Sequence, residues 1–333
     1  MRRRECSRPV QATAKPRDLA RLNLAASAST ALSGKETRTR RASLTVVFLA
    51  GALSLLSCGS LESAEPSTRD RFVLDAHTPS DAALLARLAA IDEAARLRHG
   101  LTTEQAAVGL LDLRDGRVAM IHPDRIEYAA SVAKIGILLA WFEVHREAAT
   151  DLASETRHEL GLMIKASSNE MATKFSREIG LKRIQQVLDS YDLYDANRGG
   201  GLWVGRHYGS DEERIGDPVA DHSHAATVRQ LLRFYSMLEQ GQLVSPAASA
   251  AMRGIFASPD IPHDDIKFVK GLAGRDVEIL RKWGSWQDWL HDTAAVTGTD
   301  RRYVLVALTH HPQGDAYLVD LAAAVDDAMS RPR

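Results

Sequence analysis

From residue 80 to the C-terminus, the apolar positions follow two distinct periods. Leu84, Leu85, Leu88, Ile91 and Leu97 fall on one stripe of a helix predicted over Ser80–Arg98. Two short apolar runs follow, Ala107–Asp112 and Arg117–Ile121, joined at Asp115-Gly116, a dipeptide that favours a hairpin turn. An apolar helix then starts near Tyr128 and reaches Trp141. Helical spacing continues through Ser154–Ala166, with Leu160, Met163 and Ile164 on one side, and through Glu170–Ile179, where Gly180 reads as a C-cap. Another stripe is Leu181, Ile184, Val187 and Leu188, and another helix is predicted over Ala225–Glu239. Pro246 opens a further short helix at its first position. Strand-like runs return at Val277–Lys282, Thr293–Thr297 and Tyr303–His310. A closing helix, Asp315–Met329, points Leu318, Leu321, Ala322 and Val325 inward.

Strands at both ends thus flank a helical middle. The expected fold class is α+β: one antiparallel sheet built from both chain ends and covered by helices, with an all-helical lobe inserted between. A crevice between sheet and lobe is the natural place for a site. Tyr194–Asp221 breaks the pattern. It is charged, rich in glycine (Gly199, Gly200, Gly201) and long for a connection, which marks it as functional or mobile.

The N-terminal quarter reads differently. Residues 1–37 lack periodicity and are read as a disordered or misassigned extension. Residues 38–57 combine Arg38, Arg40 and Arg41 with an apolar run from Leu44 to Leu56, the layout of a signal peptide too short to span a membrane comfortably. Residues 58–79 read as a linker, and residues 80–333 as the folded domain. Leu55-Leu56-Ser57-Cys58 resembles a bacterial lipobox, which implies a lipidated Cys58 and an exported, periplasmic or cell-envelope lipoprotein. Arg40-Arg41 also resembles a twin-arginine export signal. Composition adds exclusions. A net charge of −1 gives no general drive toward nucleic acid. The two cysteines, Cys6 and Cys58, both precede the domain, so it has no disulfide framework and no thiolate metal site. Histidines pair at His222-Ser223-His224 and His310-His311 without the partners a zinc site needs, so no metal and no cofactor is expected.

Three short motifs carry candidate chemistry. Ser131 and Lys134 stand one helical turn apart, so a hydroxyl and an amine share a face. An amine whose pKa is lowered by burial can take the serine proton. Ala166-Ser167-Ser168-Asn169 marks a helix junction; Ser167 is a proton carrier, and the Asn169 amide both donates and accepts. Lys282-Trp283-Gly284-Ser285 ends a strand pattern, with a glycine that lets backbone approach a ligand. Each motif alone also has a plain reading, as a helix cap or a protected edge strand.

In this order, Ser-x-x-Lys, Ser-x-Asn and Lys-x-Gly resemble the penicillin-recognising serine enzymes, class A β-lactamases most nearly and D,D-peptidases beside them. The resemblance covers the chain from about Ser80. It implies that Ser131 attacks a lactam carbonyl, Lys134 acts as base or relay, and Ser167 protonates the leaving nitrogen. It implies that Asn169, Lys282, Gly284 and Ser285 bind substrate, with the Ser131 and Ser285 N–H groups as oxyanion hole. The expected activity is β-lactam hydrolysis. The alternatives are a cell-wall D,D-peptidase or esterase, or a penicillin-binding lipoprotein without turnover. The expected partners are a small β-lactam or a peptidoglycan peptide, with membrane contact through the lipid alone and a monomeric chain. Departures are visible: Ser168 and Trp283 stand where the family has aspartate and a small hydroxyl residue. The glutamate that activates deacylating water has no clear counterpart, Glu212 being the candidate.

Overall fold

A computed structural model describes residues 74–75, 77–209 and 214–330. The expected extension, the signal segment with Cys58, most of the linker and Glu212 lie outside the described residues.

The order of elements is helix α1 (Ala82–His99), strands β1 (Ala106–Asp112), β2 (Val118–Ile121) and β3 (Glu127–Tyr128), and helices α2 (Lys134–Val144), α3 (Ser154–Ile164), α4 (Asn169–Ile179) and α5 (Leu181–Ser190). Short strands β4 (Tyr194–Asp195), β5 (Gly200–Gly201), β6 (Trp203–Val204) and β7 (His224–Ala226) follow. Helices α6 (Val228–Glu239), α7 (Pro246–Phe256) and α8 (Lys267–Gly271) lead to strands β8 (Glu278–Trp286), β9 (Trp289–Thr297) and β10 (Arg302–His310). Helix α9 (Gly314–Met329) closes the chain.

The main sheet has the order β2-β1-β10-β9-β8 and its neighbouring pairs are antiparallel, so both ends of the chain build it. The period-2 alternation divides its side chains between two cores. Ala107 and Leu111 of β1, with Val304, Val306 and Leu308 of β10, face the helical lobe. Val108 and Leu110, with Tyr303, Leu305 and Ala307, face α1 and α9. Helix α2 is apolar on every side, which is the pattern of a helix buried all round, and Ile135 to Phe142 are all buried. Helix α6 crosses β1 at Gly109. A methyl group there would lie 2.5 Å from Val228 Cγ1 and 2.7 Å from Leu232 Cδ1, so the close approach of α6 requires glycine.

Several details depart from the sequence reading. Leu97 was placed on the inward stripe of α1 but is 72% exposed, because the stripe drifts round the helix before Gly100 ends it in a left-handed cap. Leu74 is buried in the core, and Arg229 donates to the Asp75 and Thr78 carbonyls, so the folded part starts before residue 80. The third-motif strand does not stop at Lys282. It continues to Trp286, paired residue by residue with β9, because the polar stretch of an edge strand keeps its ladder on one side. Part of Tyr194–Asp221 is ordered as β4, β5 and β6.

Candidate active site

Ser131 lies in a 3-10 turn, Ala130–Ala133, that feeds directly into α2. The sequence spacing suggested an α-helical face. In a 3-10 turn residues i and i+3 eclipse, which stacks Ser131 and Lys134 more directly. Ala130, just before Ser131, has φ 47°, in the left-handed region.

Lys134 is fully buried. Its Nζ donates to the Ser167 carbonyl (2.5 Å), to Asn169 Oδ1 (2.8 Å) and, at 3.4 Å, to Ser167 Oγ. Burial lowers its pKa to about 7, so a large share of the amine is unprotonated near neutrality. Ser167 itself has φ 56°, which turns both its carbonyl and its hydroxyl toward the lysines. Ser168 is the N-cap of α4, accepting from Met171 N–H at 3.2 Å, and Asn169 is the first residue of that helix. The capping role suggested by the sequence therefore belongs to Ser168 and leaves Ser167 and Asn169 pointing at the site.

Lys282 reaches Ser167 from the opposite wall. Its Nζ donates to Ser167 Oγ at 2.8 Å and to the Trp283 carbonyl at 2.8 Å. Complete burial and the neighbouring Lys134 push its pKa well below the usual lysine range. The Trp283 ring centroid lies 5.1 Å from both Lys282 Nζ and Lys267 Nζ. Gly284 lies against the turn that carries Ser131: a methyl group there would be 2.8 Å from the Ala129 carbonyl and 3.1 Å from the Ser131 and Val132 nitrogens. Ser285 follows at the cleft lip.

Ser131, Asn169 and Ser285 line a cleft of about 410 Å3, together with Tyr128, Arg206, Tyr208, Ser223, His224 and Trp286. The structure thus brings Lys134, Ser167, Asn169 and Lys282 into one hydrogen-bonded group, with Ser131, Gly284 and Ser285 on the walls beside it. The histidines take supporting places. His291 accepts the Thr309 N–H at Nδ1 and donates from Nε2 to the Tyr128 carbonyl, and burial lowers its pKa to about 3. Trp289 stacks on His310 with centroids 3.9 Å apart, while Trp286 reaches the cleft. Among the described residues, no group of three His, Cys, Asp or Glu side chains is placed to hold a metal ion.

Two residues escaped the sequence reading. Lys267, buried at φ 51°, donates to the Gly284 carbonyl (2.7 Å), to Ser285 Oγ (2.6 Å) and to the His291 carbonyl (3.3 Å) from beneath the third-motif strand. Its position in a five-residue helix within a polar stretch gave no periodic signal. Tyr208 places its ring over Lys134, with Nζ 4.5 Å from the centroid. An aromatic residue inside a glycine-rich, charged loop was the available signal for it.

A serine one turn before a buried amine, with a second lysine across the Ser167 hydroxyl, is an arrangement able to support acyl transfer to serine. The family model described as "Beta-lactamase enzyme family" matches residues 155–329, and the chain belongs to that family. It is 26% identical over 246 residues, 68% of each chain, to a protein of Mycobacterium tuberculosis named as a lipoprotein, LppW. Its fold matches a β-lactamase from Sphaerobacter thermophilus (TM-score 0.58, 16% identity, 73% of this chain and 97% of the other). It also matches the TLA-3 extended-spectrum β-lactamase (TM-score 0.58, 9% identity, 73% and 100%) and PBP-A (TM-score 0.55, 17% identity, 72% and 96%).

Proposed function

We propose that this protein is a serine hydrolase that is acylated by β-lactams at Ser131 and releases the product slowly. Lys134 in its neutral form takes the Ser131 proton as Oγ attacks the lactam carbonyl. The C–N bond breaks, and the leaving nitrogen receives a proton through Ser167, which Lys282 supports with a hydrogen bond. The oxyanion sits between the Ser131 and Ser285 N–H groups, and Asn169 and Lys282 hold the substrate's amide and carboxylate. The observation that carries this reading is the convergence of two buried lysines on Ser167: Lys134 bonds both Ser167 and Asn169, and Lys282 bonds Ser167 Oγ from the other side.

Slow release follows from what surrounds Lys134. Burial alone lowers its pKa, with no carboxylate partner contributing. Among the described residues lining the cleft, none is an aspartate or glutamate. None of these described residues offers a carboxylate to activate the water that must attack the acyl ester. This favours a long-lived acyl-enzyme over a fast resistance enzyme, and over a D,D-peptidase, which needs efficient release. The protein is exported and anchored through lipidated Cys58, a reading supported by the lipobox-like segment and by the named lipoprotein relative. Intact mass spectrometry after incubation with benzylpenicillin tests the enzyme reading: a stable adduct mapping to Ser131 is expected, and an unmodified protein defeats it. Cys58→Ala tests the anchor, which fails if the variant still fractionates with membranes.

A further inference from the structure

Tyr208 belongs to none of the three motifs, yet it touches Lys134 and the residue that precedes Ser131. Its ring covers the Lys134 amine at 4.5 Å and lies against the His224 imidazole, with centroids 4.4 Å apart. Its hydroxyl donates to the Ala130 carbonyl at 3.1 Å. Ala130 is the residue before the nucleophile and has φ 47°, a conformation that costs a non-glycine residue roughly 1–2 kcal/mol. A strained peptide of this kind persists when neighbouring groups hold it.

We propose that Tyr208 is a positioning residue for acylation: its hydroxyl clamps the strained Ala130–Ser131 peptide, and its ring keeps water off the Lys134 amine. This rests on the roles of Ser131 and Lys134 proposed above. The two halves of the side chain have separable effects, which makes the inference testable.

The ring acts on Lys134 in two opposing ways. A cation–π contact favours the ammonium by about 1 kcal/mol. Exclusion of water disfavours it by up to several pKa units. Burial lowers the amine's pKa to about 7, the direction that exclusion of water favours. The charged or titratable groups facing Lys134 are few. Lys282 approaches from β8 and opposes a second positive charge. His224 comes from β7 and is neutral near pH 7, because burial lowers its pKa to about 4. Ser167 and Asn169, at the start of α4, are neutral acceptors. The Tyr208 phenol is itself pushed well above its usual range by burial, so it remains a donor throughout the working pH range.

The experiment uses the mature protein and two substitutions, Tyr208→Phe and Tyr208→Ser. The first readout is the second-order rate of benzylpenicillin acylation against pH, followed by intact mass. The second is the titration of Lys134 by NMR of 13C-labelled lysine, assigned by loss of its signal in Lys134→Arg. Y208F removes only the clamp. It is expected to acylate roughly three- to tenfold more slowly, the worth of one neutral hydrogen bond, with the acid limb of the profile unmoved. Y208S admits water beside the amine. It is expected to raise the Lys134 midpoint by about one unit or more and to shift the acid limb equally. Wild-type acylation by Y208F overturns the clamp, and an unchanged Lys134 midpoint in folded Y208S overturns the shield. If Y208S does not fold, Tyr208→Gln, which keeps some bulk but brings polarity, replaces it under the same criterion. If the wild-type protein takes no penicillin, the proposed function fails, while the Lys134 titration still decides the shield.

Discussion

Gly284→Ala isolates the contact between the third-motif strand and the nucleophile turn. The added methyl carbon would stand 2.8 Å from the Ala129 carbonyl oxygen and 3.1 Å from the Ser131 and Val132 nitrogens. All three are backbone atoms, so no side chain can swing aside. Ordinary van der Waals contact begins near 3.4 Å, so β8 and the turn must separate by roughly half an ångström. Those two segments carry the Ser285 and Ser131 N–H groups, the proposed oxyanion donors. A donor displaced by that much loses much of its grip on an oxyanion, and loss of one such donor costs about 100- to 1000-fold in rate. Gly284 is on an edge strand, so the global fold need not share that loss. The assay is the acylation rate with a fluorescent penicillin, beside a thermal melt. Acylation is expected to fall about 100-fold while the melting temperature drops only a few degrees. Acylation within threefold of wild type would show that this strand does not form the oxyanion hole.

Three further outcomes follow from the same geometry. The acylation rate should rise with pH through about 7 as Lys134 loses its proton, and a flat profile from pH 5 to 9 would remove Lys134 as base. The same group links to stability: because its folded pKa lies below the unfolded value, the unfolded chain holds the extra proton between about 7 and 10.5, and stability gains with pH across that window, a slope that Lys134→Met should flatten in denaturant titrations. Lys267→Met strips the buried donor from the Gly284 carbonyl and Ser285 hydroxyl; a destabilisation of about 1–3 kcal/mol and slower acylation are expected, and normal values for both would assign the lysine no positioning role.

The helical and strand periods were readable because burial is two-sided in the sheet and one-sided in most helices. Thus β1, β10, α5 and α9 stand close to where the alternation placed them. Leu97 misled because an apolar residue near a helix end carries no mark of which way the last turn faces. The nucleophile turn could be located but not its 3-10 geometry, since Ser-x-x-Lys satisfies a helix of either pitch. Tyr208 and Lys267 were invisible for a different reason. Their roles come from contacts across more than 15 residues of chain, to Lys134 and Ala130 for one and to Gly284 for the other. Neither sits in a periodic segment, so local pattern gave no reason to prefer them over neighbouring polar or aromatic residues.

Part of the backbone strain lies where the chemistry is proposed. Of the eight non-glycine residues with positive φ among the described residues, Ala130, Ser167 and Lys267 each hold or support a group of the site. At roughly 1–2 kcal/mol apiece, these backbones cost several kcal/mol, and three buried lysines add desolvation on top. The two cores on either side of the sheet offset that cost. What the strain achieves is directional. A left-handed Ser167 presents hydroxyl and carbonyl together to Lys134 and Lys282. A left-handed Ala130 sets the turn that carries Ser131 against the Gly284 strand, and a left-handed Lys267 fixes that strand from below. Relaxing one of them should therefore stabilise the fold while loosening the site, so Ala130→Gly, which leaves every proposed catalytic side chain in place, is expected to raise the melting temperature slightly and lower acylation. If both quantities instead rose together, the strained backbone would have no part in positioning the nucleophile.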